Sequence, residues 1–366
     1  MTKGIAISGS HRSGTSSIAQ YFHFNGVPAG LDLIDGNEFN KHGYFEDWEV
    51  VKFHDAVLAR NGLSWNSVAH EPVQLSGADV AFCQGYASRR ASAGTAWTFK
   101  DPRVCKFVEH WAEVLPDLRF LIVYRAPHLV ATSQLNRAAK VVARSAGRDV
   151  EYSKFMEDPD LALKIWLSDN SALLNLAKRF PNRCAVISHE SYLSGLDPLA
   201  IAREHLGLEH DSKKAPTVTI DRKLIRRQQS KLYVSSDVLV KRARAVYEGL
   251  QALDVSPQTH LSTDIVLSNL EIDPTCARQK LDFMQKVWNE VSLGIKSTEV
   301  DWSNAVVTNE DVAQRLRERE AQLKSVLEDV GPIVKKLRKS PFKFYFRKLK
   351  KRKYKAPLDR LLKQVN

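Results

Sequence analysis

The sequence predicts an α/β fold with a mostly parallel central sheet flanked by helices, plus a helical C-terminal extension. Three observations carry this. Short apolar runs alternate with helical patterns over residues 1–255, as expected for crossover-connected parallel strands. The runs are continuous rather than alternating, the mark of strands buried on both faces. From about Ser256 the pattern shifts to long helices with few strand signals. The domain organisation read this way is 1–255 for the α/β domain, 256–334 for the helical extension and 335–366 for a basic, aromatic tail.

The first strand is Gly4 to Ser8. Gly9-Ser10-His11-Arg12-Ser13-Gly14-Thr15-Ser16-Ser17 follows, then the helical stretch Ile18 to Phe24. A strand, a glycine-rich turn and a helix set unpaired backbone N–H groups at the positive end of a helix dipole, where an anion settles. The domain is therefore P-loop-like, with one departure. Thr15 stands at the lysine position of a Walker A loop, and the cation is Arg12, two residues before Gly14. An NTPase without that lysine lacks its main β/γ-phosphate contact, so a different phosphoanhydride is expected.

The next elements are a helix over Val50 to Arg60, a strand over Ala96 to Lys100 and a strand over Arg119 to Tyr124. The third strand is followed by Arg125, where many P-loop NTPases carry the aspartate that holds Mg²⁺. Pro127 suits the first turn of a new helix. Ser133 lies eight residues beyond Arg125 in that helix, so a cation at a strand end and a hydroxyl two turns along can grip one phosphate. A helix over Ala162 to Arg179 and a strand over Cys184 to Ser188 follow. Thr308 to Val330 reads as a capped helix with near-heptad apolar spacing, ended by Gly331-Pro332.

The two anion motifs together resemble those of the sulfotransferases that use 3′-phosphoadenosine-5′-phosphosulfate (PAPS). Gly43-Tyr44-Phe45-Glu46, Lys100-Asp101-Pro102-Arg103, Trp166 to Asn170, Ser188 to Leu193 and Ile220 to Arg227 resemble the bacterial and carbohydrate-type branch. The likeness spans residues 1–250 or so. It implies a sulfuryl transfer from PAPS to a hydroxyl of a carbohydrate or glycoconjugate by metal-independent in-line displacement. It further implies that Arg12, Ser13, Gly14, Thr15, Ser16 and Ser17 hold the 5′-phosphosulfate, and that Arg125 and Ser133 hold the 3′-phosphate, with Arg226 and Arg227 as further contacts. Arg12 would neutralise the leaving phosphate and Glu46 would take the acceptor proton, provided partial burial raises its pKa. Glu46, Lys100 and Arg103 would line the acceptor cleft. The chain departs from cytosolic relatives in carrying Arg12 in place of lysine, and it has no counterpart of their histidine motif; His42 and His54 stand as fallback bases. A plainer reading makes Glu46 and Asp47 helix N-terminus decoration and Lys100 to Arg103 a structural ion-pair knot. A P-loop kinase or NTPase, and a nucleotide-binding protein without catalysis, remain as alternatives.

Composition narrows the setting. The 366 residues are 43% hydrophobic, with four scattered cysteines and no C-x-x-C pair, which argues against a zinc site or a disulfide framework. No apolar run is long enough to span a membrane. The first strand begins too early for a usual signal peptide, and a cytoplasmic setting is expected. The formal net charge of +12 resides in the tail: Lys335 to Lys355 holds twelve Lys/Arg and no Asp/Glu. A nucleic-acid-binding body is therefore not expected. Phe342, Phe344, Tyr345, Phe346 and Tyr354 interleave with those cations, which suits peripheral contact with anionic lipid, an acidic glycan or RNA. Equal liposome flotation with and without the tail would remove the membrane reading.

Overall fold

The computed structural model describes residues 4–36, 43–68, 73–210, 231–256 and 262–304, with side chains to 293. It divides into two compact units, residues 1–139 with 150–283 and residues 140–149 with 284–366.

The first unit is built on β1 (Gly4–Ser8), α1 (Thr15–Phe24), α2 (Trp48–Arg60), α3 (Gly77–Ala91), β2 (Trp97–Lys100), α4 (Val108–Val114) and β3 (Arg119–Tyr124). The start of α5 (Pro127–Arg144) follows, then α6 (Val150–Glu157), α7 (Leu161–Arg179), β4 (Cys184–Ser188), α8 (His189–Leu193) and α9 (Pro198–Leu206). The strands expected from the apolar runs form, three of them with the same ends, and Pro127 opens α5. The four pair in parallel in the order β2-β1-β3-β4. Every residue of these strands is buried except Arg119, half-buried at the entry of β3. That double-sided burial is the reason the runs are continuous in sequence. Ile5, Ile7, Leu121, Val123, Ala185 and Ile187 pack on one face against Ile18 and Phe22 of α1 and Leu199 and Ala202 of α9. At about 1.5–3 kcal/mol for each large apolar side chain, this burial supplies most of the drive that fixes the strand ends.

The order 2-1-3-4 means that the chain leaves β1 toward one sheet edge and β3 toward the other. The carboxyl ends of β1 and β3 therefore flank the topological switch point, the usual ligand crevice of an open α/β sheet. Register places Lys100 beside Ile7, and Ile122 beside Ser8, so the tips of β1, β2 and β3 converge.

A small parallel pair, β5 (Leu232–Val234) and β6 (Leu270–Ile272), joins α10 (Asp237–Ala252) and α11 (Thr263–Leu267) in the same unit. β6 lies in the region where sequence patterning points to long helices with few strand signals; three residues give too short a run to register as a period. In the second unit α12 (Ala277–Asn304) continues from Met284, and Lys140 Nζ lies 3.6 Å from Glu290. The helix expected over Thr308 to Val330, Arg226 and Arg227, His42 and the 335–355 tail lie outside the described residues.

Candidate active site

The turn between β1 and α1 is shaped by residues without room to be otherwise. A Cβ on Gly9 would stand 2.5 Å from the Val123 carbonyl oxygen. Arg12 and Gly14 both have positive φ, 74° and 90°, flanking Ser13. Alternating backbone handedness turns successive N–H groups to one side, the nest geometry that binds anions. Ser13 N–H donates to the Ser10 carbonyl (3.1 Å), Ser17 Oγ donates to the Gly14 carbonyl (2.8 Å), and Ser10 Oγ donates to Asp169 (2.8 Å). Ser13 Oγ is buried with no protein partner. Thr15, Ser16 and Ser17 form the first turn of α1, and Gly14 is its N-cap with no side-chain hydrogen bond.

The unusual φ of Arg12 sends its side chain to α5. Its Nε donates to Ser133 Oγ at 3.0 Å, and Arg125 Nη1 donates to the Arg12 carbonyl at 3.2 Å. The sequence reading put Arg12 in one anion motif and Arg125 with Ser133 in the other; the fold brings all three together at the switch point. Arg137, one helical turn beyond Ser133, adds a third guanidinium, over the rings of Tyr44 and Tyr152 at 5.9 and 6.0 Å. Burial, then Arg137 and Arg125, pull the Arg12 pKa below its ordinary value. Burial lowers Arg125 too, against Glu190. Three guanidiniums gathered at such cost favour an anion strongly, since one phosphate relieves the repulsion and the desolvation together. Arg125 Nε is buried without a protein partner. The sequence expectations did not include Arg137; its i, i+4 spacing from Ser133 is the signal that could have found it.

A second cluster stands at the β2 tip. Lys100 Nζ, fully buried, donates to Glu46 Oε1 at 2.5 Å and to Ser16 Oγ at 3.2 Å. Arg103 Nη1 lies 4.0 Å from the other Glu46 oxygen and donates to Asp101 at 2.9 Å, while its Nε bonds Asp55 at 2.6 Å. Burial pulls the Lys100 pKa down and Glu46 opposes it. The lysine that the turn itself lacks is thus delivered to the start of α1 by the neighbouring strand.

Glu46 and Asp47 part company. Asp47 caps α2, accepting from Glu49 N–H (3.1 Å), and also takes Leu31 N–H (2.9 Å) and the Tyr86 hydroxyl (3.2 Å). Glu46 makes no cap; Phe45, held at φ 54°, turns its neighbour toward Lys100. A bulky residue at positive φ is strained, and such strain persists only where surrounding contacts fix it. His54 is structural: Trp111 Nε1 donates to its Nε2 (2.9 Å), so Nδ1 carries the proton and donates to Asp101 (2.7 Å). Both nitrogens are engaged away from solvent, which removes His54 as a base.

Two histidines that sequence patterning did not single out abut these clusters. A Cβ on Gly14 would lie 2.1 Å from His189 Cδ2; burial and then Arg125 push the His189 pKa down to about 3. His11, edge-on to Trp65 at 4.9 Å, is held neutral by burial and by Arg103. Among the described residues no group of three or more His, Cys, Asp or Glu side chains is placed to hold a metal, and no helix is long and apolar enough to cross a membrane.

Solved structures similar to this chain include the sulfotransferase domain of the curacin biosynthetic pathway (14% identity, 75% of this chain and 99% of that one, TM-score 0.37). A sulfotransferase from Alicyclobacillus acidocaldarius matches at 14% identity over 71% and 98% of the two chains, TM-score 0.36. One from Mycobacterium tuberculosis H37Rv matches at 13% over 74% and 76%, TM-score 0.33. No protein-family model and no curated protein matches the chain.

Proposed function

We propose that this chain is a PAPS-dependent sulfotransferase acting on a hydroxyl of a carbohydrate or glycoconjugate. One observation carries the reading. The anion loop draws two cations from outside itself, Arg125 at the β3 exit and Lys100 on Ser16 at the start of α1, while its own Arg12 reaches out to Ser133. A triphosphate site of the Walker type instead puts lysine in the loop and a metal-holding aspartate at that strand end.

The donor fits on two counts. Ser13 Oγ and Arg125 Nε are buried polar groups with no protein partner, as groups reserved for an anionic ligand are. Arg12, Arg125 and Ser133 would hold one phosphate of PAPS; the N–H groups of residues 13–17 and Lys100 would hold the phosphosulfate. When bound, PAPS supplies the activated sulfuryl group and a phosphate leaving group. Lys100 neutralises negative charge that grows at the start of α1, and the helix dipole adds to it. Glu46, fixed by Lys100, accepts the proton of the acceptor hydroxyl. Arg103, tied to Asp101 and Asp55, keeps Glu46 in place from its other side.

The test is thermal stabilisation by 3′-phosphoadenosine-5′-phosphate (PAP) against ADP and ATP. PAP is expected to stabilise most, by about 2.7 kcal/mol at a hundred times its Kd. Arg125→Ala is expected to remove the preference for PAP over ADP. Equal stabilisation by ADP, or Mg²⁺-dependent ATP turnover, would refute the reading.

A further inference from the structure

The segment Trp166-Leu167-Ser168-Asp169-Asn170 has no part in the roles above, yet one turn of α7 reaches both halves of the site. Trp166 and Asp169 are three residues apart, so their side chains leave the same helix face. Trp166 Nε1 donates to the Arg125 carbonyl at 3.0 Å, and Asp169 Oδ2 accepts from Ser10 Oγ at 2.8 Å. Trp166 and Ser10 are wholly buried, and Asp169 is 2% exposed. The other Asp169 oxygen lies 3.5 Å from Lys106 Nζ, which in turn donates to the Ser67 carbonyl at 2.7 Å. Asn170 Nδ2 donates to the Trp166 carbonyl at 2.8 Å.

A carboxylate this deep is costly to bury: desolvation pushes its pKa up, against Lys106 and Ser10. A leucine would fill the space and pack as well. What a leucine cannot do is grip the hydroxyl of Ser10, three residues ahead of Ser13. The tryptophan makes the matching contact on the other loop, at the backbone of the residue whose guanidinium binds the anion. Because Arg125 also bonds the Arg12 carbonyl, the three elements close a triangle: α7 to the first turn, α7 to the β3 exit, and the β3 exit to the first turn.

We infer that Trp166 and Asp169 are positioning residues that set the spacing of the two anion-binding loops, so that α7 acts as the splint of the donor site. The inference rests on the proposed function for the identity of the donor but not for the splint itself. Ligand-free hydrogen exchange on full-length protein tests it. Asp169→Leu and Ser10→Ala are expected to speed exchange in peptides covering residues 9–17, and Trp166→Phe in those covering 125–133, each by about tenfold. The midpoint of global unfolding should fall in parallel only slightly for Ser10→Ala, which removes one hydroxyl. PAP binding by calorimetry gives a second readout: Kd rises about tenfold in Asp169→Leu and in Ser10→Ala. The double variant is no worse than the weaker single, since both break one contact. Unchanged exchange in those peptides, or variants that lose stability with PAP affinity intact, overturns the splint. Wild-type protein that fails to bind PAP while the exchange pattern holds overturns the donor assignment alone.

Discussion

Replacing Gly14 by alanine tests whether the first turn is shaped by space and backbone handedness. Gly14 sits at φ 90°, where an L-residue is strained by about 1–2 kcal/mol. The added methyl would meet His189 Cδ2 at 2.1 Å and Nε2 at 2.4 Å. The ring is buried behind it, so overpacking adds about 1–3 kcal/mol, and the total loss is about 2–5 kcal/mol. Urea denaturation at pH 7 reads it as a lower midpoint at constant slope. The two contributions separate in a cycle with His189→Ala: without the ring, Gly14→Ala should cost about 1–2 kcal/mol, the backbone part alone. PAP binding should weaken in Gly14→Ala in either background, because φ there orients the N–H groups that open α1. A single-variant loss below 1 kcal/mol, or a cycle with no coupling, would refute the claim that His189 and the turn are fitted to each other.

Glu46→Gln should destabilise the fold by about 3 kcal/mol by leaving the buried Lys100 ammonium without its counter-charge, and Lys100→Met in the same background should restore much of it; denaturant midpoints of the two singles and the double decide this. Glu46→Gln should also lower sulfuryl transfer at least a hundredfold at saturating donor, and a smaller loss would take the base role from Glu46. The buried histidines give a pH signature. Burial and Arg125 lower His189 to about 3 and His128 to about 4, so both are neutral in the native state, whereas the unfolded chain binds protons below about 6.5. Stability is therefore full above pH 6.5 and falls as pH drops toward 4, by about 1.4 kcal/mol per pH unit for each histidine. Unfolding free energies at pH 7, 6 and 5 should show that slope, and His128→Gln should reduce it; a flat profile would contradict neutral burial.

The sequence alone determined the four strands of the main sheet, the helix that opens at Pro127 after Arg125 and the glycine-rich turn between β1 and α1. These are local properties. Continuous burial forces continuous apolar runs, and glycine, hydroxyl and proline positions set backbone geometry within a few residues. Tertiary structure decided which charges meet. That Arg12 joins Ser133 and not the loop it sits in follows from a positive φ with no glycine to announce it. That Lys100 supplies the cation missing beside Thr15 depends on β2 lying next to β1, a strand order no residue encodes by itself. Asp47 and Glu46 are adjacent in the chain, yet one caps a helix and the other pairs with Lys100, because a strained Phe45 turns them apart. Long-range pairing is set by how the sheet packs its layers, and the sequence records it only as isolated polar residues whose partners lie far along the chain, 159 positions for Ser10 and Asp169.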